Sequence, residues 1–232
     1  MNIREATEIT GGLSNPSKMP CYSIGLPTHA CRLGNVFSKM EGTVCRSCYC
    51  KKGRYVFDNV KQSQERRLKA LSDPWDKLLW VDAMVTLIEH YSPEYFRFHD
   101  SGDIQNMEHL EMIDKLVQEL PDTEFWLPTM ERNIINQFYP KQARVVPENL
   151  NIRISTPMLN YAPGARRGDV VSEDPVYPEW LRYPGITTSS VYEDVSKVPA
   201  GIVCQAALHH TSCGDCRKCW AREIQHIVYP KH

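Results

Sequence analysis

Nine cysteines in 232 residues constrain this chain more than any other feature, because of where they stand. Five lie between positions 21 and 50, four lie between 204 and 219, and the residues from 51 to 203 hold none. The count is odd, and the opening MNIREATEIT does not read as a signal peptide. Both argue against a disulfide scaffold and for a cytoplasmic setting where thiols stay reduced. Free cysteine also packs as a small hydrophobe, but that does not crowd nine of them into two turn-rich segments. Soft thiolates gathered in this way point to a metal.

The C-terminal group is Cys204, Cys213, Cys216 and Cys219, spaced C-x8-C-x2-C-x2-C. Consecutive short spacings let one loop offer three thiolates to an iron–sulfur cubane. Structural zinc more often closes a tetrahedron between two separated C-x2-C knuckles, so zinc stands as the alternative metal. The N-terminal group, Cys21, Cys31, Cys45, Cys48 and Cys50, is less regular. Cys45 and Cys48 form a knuckle that Cys21 and Cys31 can complete from other turns. Five thiols exceed a four-ligand cluster by one, and a three-thiolate cluster with an open iron fits equally well. At least one of the five is then not a ligand. The sequence leaves open one or two [4Fe-4S] clusters, because the two groups can also converge on a shared site.

Between the groups, strands and helices alternate. Strands are expected at 19–26, 94–100, 123–129, 149–156, 185–192 and 201–207, from runs such as EYFRFHD and NLNIRIST. Helices are expected over 57–72 and over a segment that Pro74 starts, with Trp75, Leu78, Leu79, Met84, Leu87, Ile88 and Tyr91 as its apolar stripe. Further helices are expected over 131–139 and on the face made by Met107, Leu110, Ile113, Leu116, Val117 and Leu120. About six strands with helices between them give a single α/β domain over 1–232, a partial (β/α)6-type barrel. Its parts are an N-terminal cysteine loop (18–56), barrel strands and helices (92–203) and a C-terminal cysteine segment (204–232). The Pro-rich stretch 157–184 reads as a long functional loop.

Chemistry in such folds gathers at the carboxyl ends of the strands. There stand His99, Asp100, Ser101, Gly102 and Asp103, then Thr129, Glu131 and Arg132, then Ser155 and Thr156, then Thr188, Ser189 and Ser190. His99, Asp100 and Asp103 are the candidate catalytic groups. Strand alternation sets Arg97, His99, Arg153 and Ser155 opposite the apolar positions, facing the barrel lumen. Arginines placed so can bind a carboxylate or phosphate, or hold a structural ion-pair network. Arg166-Arg167 could meet phosphate, His209-His210 could offer a ligand nitrogen, and Trp220 is placed to shield a cluster from water.

Charge excludes little but weighs against one class. The net charge of −1 gives no basic field, so nucleic acid binding has no support. No run of about 20 apolar residues suggests a membrane span.

The strings KMPCYSIGLP, VCRSCYCKKGRY, QERRLKAL, FRFHDSGD, FWLPT and CGDCRKCW together resemble a phage protein family known as gene product 88-like. The resemblance covers roughly residues 18 to 232. It implies a phage or prophage origin, hence a host-cell cytoplasm, and no particular reaction. In the family's usual motif the position of Cys50 is alanine, which leaves Cys21, Cys31, Cys45 and Cys48 as the N-terminal ligands. A wider likeness is to radical S-adenosylmethionine enzymes, which place a cysteine loop after the first strand and a short acidic turn after the second. That likeness implies a cofactor, S-adenosylmethionine, held by Ser101, Gly102 and Asp103, with Arg97, Arg153 and Ser155 beside it. It also restores Cys50 as a ligand, although the C-x3-C-x2-C signature of those enzymes is missing.

Three functions follow as expectations. One is a radical-type iron–sulfur enzyme acting on a small-molecule or nucleotide-derived substrate, supplied with electrons by a ferredoxin or flavodoxin. Another is a non-enzymatic iron–sulfur or electron-transfer protein. The third is a zinc-stapled interaction module.

Overall fold

The computed structural model describes residues 1–72, 77–163, 179–198 and 201–231. Pro74, Trp75, Arg166, Arg167 and most of the 157–184 stretch lie outside the described residues.

Each apolar run noted in the sequence becomes a strand of one parallel sheet. The strands are β1 (Ser23–Ile24), β2 (Tyr95–Phe98), β3 (Glu124–Thr129), β4 (Leu150–Leu159), β5 (Ile186–Tyr192), β6 (Ile202–Val203) and β7 (His226–Pro230). Their order across the sheet is β1-β2-β3-β4-β5-β7-β6, and every pairing is parallel. Seven strands therefore replace the expected six. The extra one, β7, hides in the sequence because its apolar run, Ile227 to Tyr229, is only three residues long. Among the described residues β1 and β6 are edges that do not pair, so the sheet is open.

The helices are α1 (Ile3–Thr10), α2 (Arg32–Phe37), α3 (Asp58–Ser72), α4 (Lys77–Tyr91), α5 (Met107–Glu119), α6 (Arg132–Phe138) and α7 (Gln205–Leu208). Asn2 and Glu5 form a capping box on α1, and Asn106 caps α5 by accepting from the His109 amide. On α4 the buried residues are Trp80, Val81, Ala83, Met84, Leu87 and Ile88, while Leu78, Leu79 and Tyr91 are exposed. The expected stripe is rotated because Trp80 and Val81, rather than the two leucines, meet the sheet.

One sheet face carries Ile24, Phe96, Phe98, Phe125, Leu127, Leu150, Ile152 and Ile186, and α4, α5 and α6 pack on it to form the core. The opposite face carries Ser23, Arg97, Trp126, Asn151, Arg153, Thr187, Ser155 and Ser189, as the strand registers require. Cysteine-bearing segments cover this polar face: Trp220 packs 5.4 Å from Trp126, and its indole N–H donates to the Phe96 carbonyl at 2.9 Å. Helices thus lie on one side and thiols on the other. No helix of the described residues is long and apolar enough to cross a membrane.

Candidate metal centres

The loop after β1 turns through short 3-10 segments at Val44–Ser47 and Tyr49–Lys51, which bring its cysteines toward the carboxyl ends of β2 and β3. Cys31 opens α2, and Gly34 lies one turn on. A side chain at Gly34 would begin 2.8 Å from Cys31 Cβ, 3.6 Å from Cys31 Sγ and 3.8 Å from Cys45 Sγ. Its hydrogen therefore keeps a space open between two thiols. Burial pushes the Cys31 and Cys45 thiols up to about 12; Asp103 and Cys48 add to the rise at both. Cys48 moves the other way, down to about 6, because the thiol and amide of Cys50 both donate to its sulfur. Cys45 Sγ also lies 3.4 Å from Met130 Sδ, a thioether at the end of β3.

Cys50 stands beside Cys48, next to the Asp100 carbonyl. It is buried, and its thiol donates to the Asp100 carbonyl at 3.6 Å and to Cys48. The loop thus brings Cys31, Cys45 and Cys48 together, with Cys50 bonded to Cys48.

Cys21, expected in that set, lies elsewhere. It is buried with Trp126 and Trp220, against Met19, Cys219 and Tyr229. The Cys213 amide donates to the Lys18 carbonyl at 2.9 Å, which fixes the C-terminal loop to the segment ahead of β1. Burial pushes Cys21 up to about 12 against the pull of Arg97, with Cys213 and Cys219 raising it further. The sequence hid this because residues 21 and 213 meet only through the sheet's polar face.

The acidic turn after β2 is spent inside the protein. His99 has φ +55, an unusual value for a non-glycine residue, and this breaks the strand alternation. Its ring consequently packs on the helix side, 5.3 Å from the ring of His109 on α5, and not beside Arg97 as alternation implied. Burial pushes His99 well below the usual imidazole range, and neither ring nitrogen has a protein partner. Asp100 accepts from Ser23 Oγ at 2.9 Å and Tyr55 Oη at 3.0 Å, and its carbonyl accepts from Tyr49 Oη at 2.6 Å. Ser101 donates to the Leu26 carbonyl and accepts from Gln64, both buried contacts. Gly102 has φ +80 and sits so close to Leu26 that a Cβ would lie 2.5 Å from that residue's Cβ. Asp103 accepts from Thr129 Oγ1 and from the amides of Ile104 and Met130. Its carboxyl is nonetheless pushed up to about 7, chiefly by burial. The turn ties the cysteine loop to the sheet, with Glu131 holding the Leu33 amide at 3.0 Å.

Arg97 and Arg153 do stand on the polar face, but they brace backbone and aromatics. Arg153 is fully buried and donates to four carbonyls, those of Thr188, Ile224, Lys218 and Cys219. Arg97 lies 4.4 Å over Trp126 and donates to Met19 Sδ and Tyr49 Oη. Among the described residues neither makes an ion pair, and each has a buried Nε without a partner. Ser155 meets the Ser189 hydroxyl at 3.3 Å. Thr188 and Ser190 hold His226 on the other face, each at 2.9 Å. His209 and His210 are exposed.

The chain matches the model of one protein family, gene product 88, over residues 2–222. It belongs to the gene product 88 family. No curated protein and no solved structure matches it. Within gene product 88, then, the geometry of this chain has to speak for the site. Among the described residues no three His, Cys, Asp or Glu side chains converge on a point where a single metal ion would sit. A tetrahedral zinc ion with Zn–S of 2.3 Å requires thiolates about 3.8 Å apart. A cubane is held through different irons, so its thiolates stand further apart. Gly34 leaves space beside the Cys31 and Cys45 sulfurs, and Arg97 and Arg153 stand on the side of the sheet that the C-terminal thiols cover.

Proposed function

We propose that this member of the gene product 88 family is an iron–sulfur protein with two thiolate centres on the polar face of its sheet. The observation that carries the reading is the gathering of Cys21, Cys213 and Cys219 beside Arg97 and the fully buried Arg153, neither of which makes an ion pair among the described residues. Burying such charges is costly unless an anion accompanies them, and an iron–sulfur cluster with cysteinate ligands is one.

In this reading Cys31, Cys45 and Cys48 hold the N-terminal cluster. Cys50 keeps Cys48 ionised by donating to it, and Asp103 fixes the loop against β3 through Thr129 and Met130. A cluster on three thiolates supplies one-electron reducing power and one iron with an exchangeable position. That centre stands at the carboxyl ends of the parallel strands, where open α/β sheets bind ligands, which favours an enzyme over a carrier. Ser101, Gly102 and Asp103, the groups that the radical-type likeness implies for S-adenosylmethionine, are engaged by Leu26, Gln64, Thr129 and Met130, so a small-molecule ligand would be met by other groups.

The test is electron paramagnetic resonance of anoxically reconstituted, dithionite-reduced protein, with and without cyanide and S-adenosylmethionine as iron-ligand probes. A signal that cyanide shifts in the wild type and that vanishes in Cys48→Ala is expected. A reduced spectrum unaffected by either probe and by Cys48→Ala would remove the open iron from the account.

A further inference from the structure

Five thiols gather at the C-terminal centre, one more than a cubane takes, and their placement separates them. Cys21 stands two residues before β1, between Trp126 and Trp220. Cys219 lies in the same apolar cluster, with its sulfur 3.3 Å from Tyr229 Oη. Its carbonyl is held by the Asn151 amide at 2.9 Å. Cys204 follows β6, and its amide donates to the Val228 carbonyl at 2.8 Å, one residue from Tyr229. Cys213 is tied to Lys18 through its amide. Three stretches of chain, before β1, after β6 and before β7, thus bring these four cysteines to one place on the polar face.

Cys216 differs. Its amide bonds the Cys213 carbonyl at 3.0 Å, closing a tight turn, and Arg217 covers the carbonyls of Gly214 and Cys216 on the outside. It is the one exposed cysteine of the chain. The mutual influence of the thiols agrees. Cys21 is affected by Cys213 and Cys219, and Cys204 affects both Cys213 and Cys219. Cys216 enters only at Cys213.

We infer that the C-terminal cluster is held by Cys21, Cys204, Cys213 and Cys219, and that Cys216 stays outside it. The inference rests on the iron–sulfur reading and changes its consequence. The cluster becomes a clasp between the segment entering β1 and the segments flanking β6 and β7, joining the two edges of an open sheet. The C-x2-C-x2-C run would then be a loop that uses its outer cysteines, Cys213 and Cys219, and turns the middle one to solvent. Trp220 and Trp126 exclude water from it, and Arg97, stacked on Trp126, and Arg153 offset its negative charge.

The experiment uses the full chain carrying Cys31→Ala, Cys45→Ala and Cys48→Ala, reconstituted without oxygen, so that only the C-terminal centre loads. Iron and sulfide are expected at about four each per chain. Adding Cys216→Ser should leave both unchanged, whereas adding Cys21→Ser should reduce them at least fourfold. Iodoacetamide treatment of the loaded wild type, mapped by mass spectrometry, should modify Cys216 at the same rate before and after iron is chelated. This readout does not depend on any variant folding. Loss of iron with Cys216→Ser, or protection of Cys216 that ends on chelation, would overturn the assignment while leaving an iron–sulfur protein. Absence of iron and sulfide from the wild type as well would defeat the underlying reading instead.

Discussion

A side chain at position 34 would begin within van der Waals range of two sulfurs, and that tightness yields a test that spares every thiol. Gly34→Val should fill the space beside Cys31 and Cys45, reducing iron at the N-terminal centre by half or more while the circular dichroism spectrum stays native. Retention of full iron would show that the space is not used. Most of what matters at this scale was readable only in part. The nine thiols and the two arginines are plain in the sequence, since residue type and strand parity identify them. The partition of the thiols is not, because Cys21 joins Cys213 across nearly the whole chain. Nor is the fate of His99, which alternation sends to the polar face and a left-handed backbone sends to the helices. Gly34, Met130 and the tyrosines on Asp100 carried no motif at all. The glycine three residues after Cys31 was the one available signal.

Elements explain why the segments around the thiols stay in place without regular structure of their own. The C-terminal loop between α7 and β7 has few backbone bonds to a sheet; Arg153, Asn151 and Trp220 hold it from below. Arg153 is central, because one buried guanidinium on β4 satisfies four carbonyls. Arg153→Met should leave those carbonyls unpaired and destabilise the apo protein by about 3 kcal/mol, read from urea unfolding. A loss below about 1 kcal/mol would show that the loop holds itself. The strands and the long helices were legible from apolar periodicity. Two elements were not: α1 spans only eight residues, and the apolar run of β7 is too short to announce itself. On α4 the expected stripe holds at Met84, Leu87 and Ile88 and fails at Leu78, Leu79 and Tyr91, because exposed leucines count the same as buried ones in a pattern.

At the scale of the whole molecule, a parallel sheet faces helices on one side and thiol-bearing loops on the other. Two consequences follow, one for stability and one for chemistry. On the helix side, His109 and His226 are buried and neutral, each pushed down to about 4, chiefly by burial. Unfolding returns them to the ordinary value near 6.5, so between about 6.5 and 4 the unfolded chain binds more protons. Each histidine therefore lowers stability by up to about 3 kcal/mol as pH drops through that window, and Asp103, whose carboxyl is pushed up to about 7, offsets part of the fall. Urea titrations from pH 7 to pH 4.5 should show the fall, and His226→Gln should reduce its slope. An unchanged slope would mean that His226 is not the group responsible. The family membership, with no solved relative to supply a ligand, leaves the chemistry to the polar face.

That face makes the central claim measurable in one determination: iron and acid-labile sulfide per chain in protein purified and reconstituted without oxygen. Two clusters, one on Cys31, Cys45 and Cys48 and one at the C-terminal centre, predict about eight iron and eight sulfide per chain. Zinc without sulfide, or a chain that binds no metal under those conditions, would contradict the account.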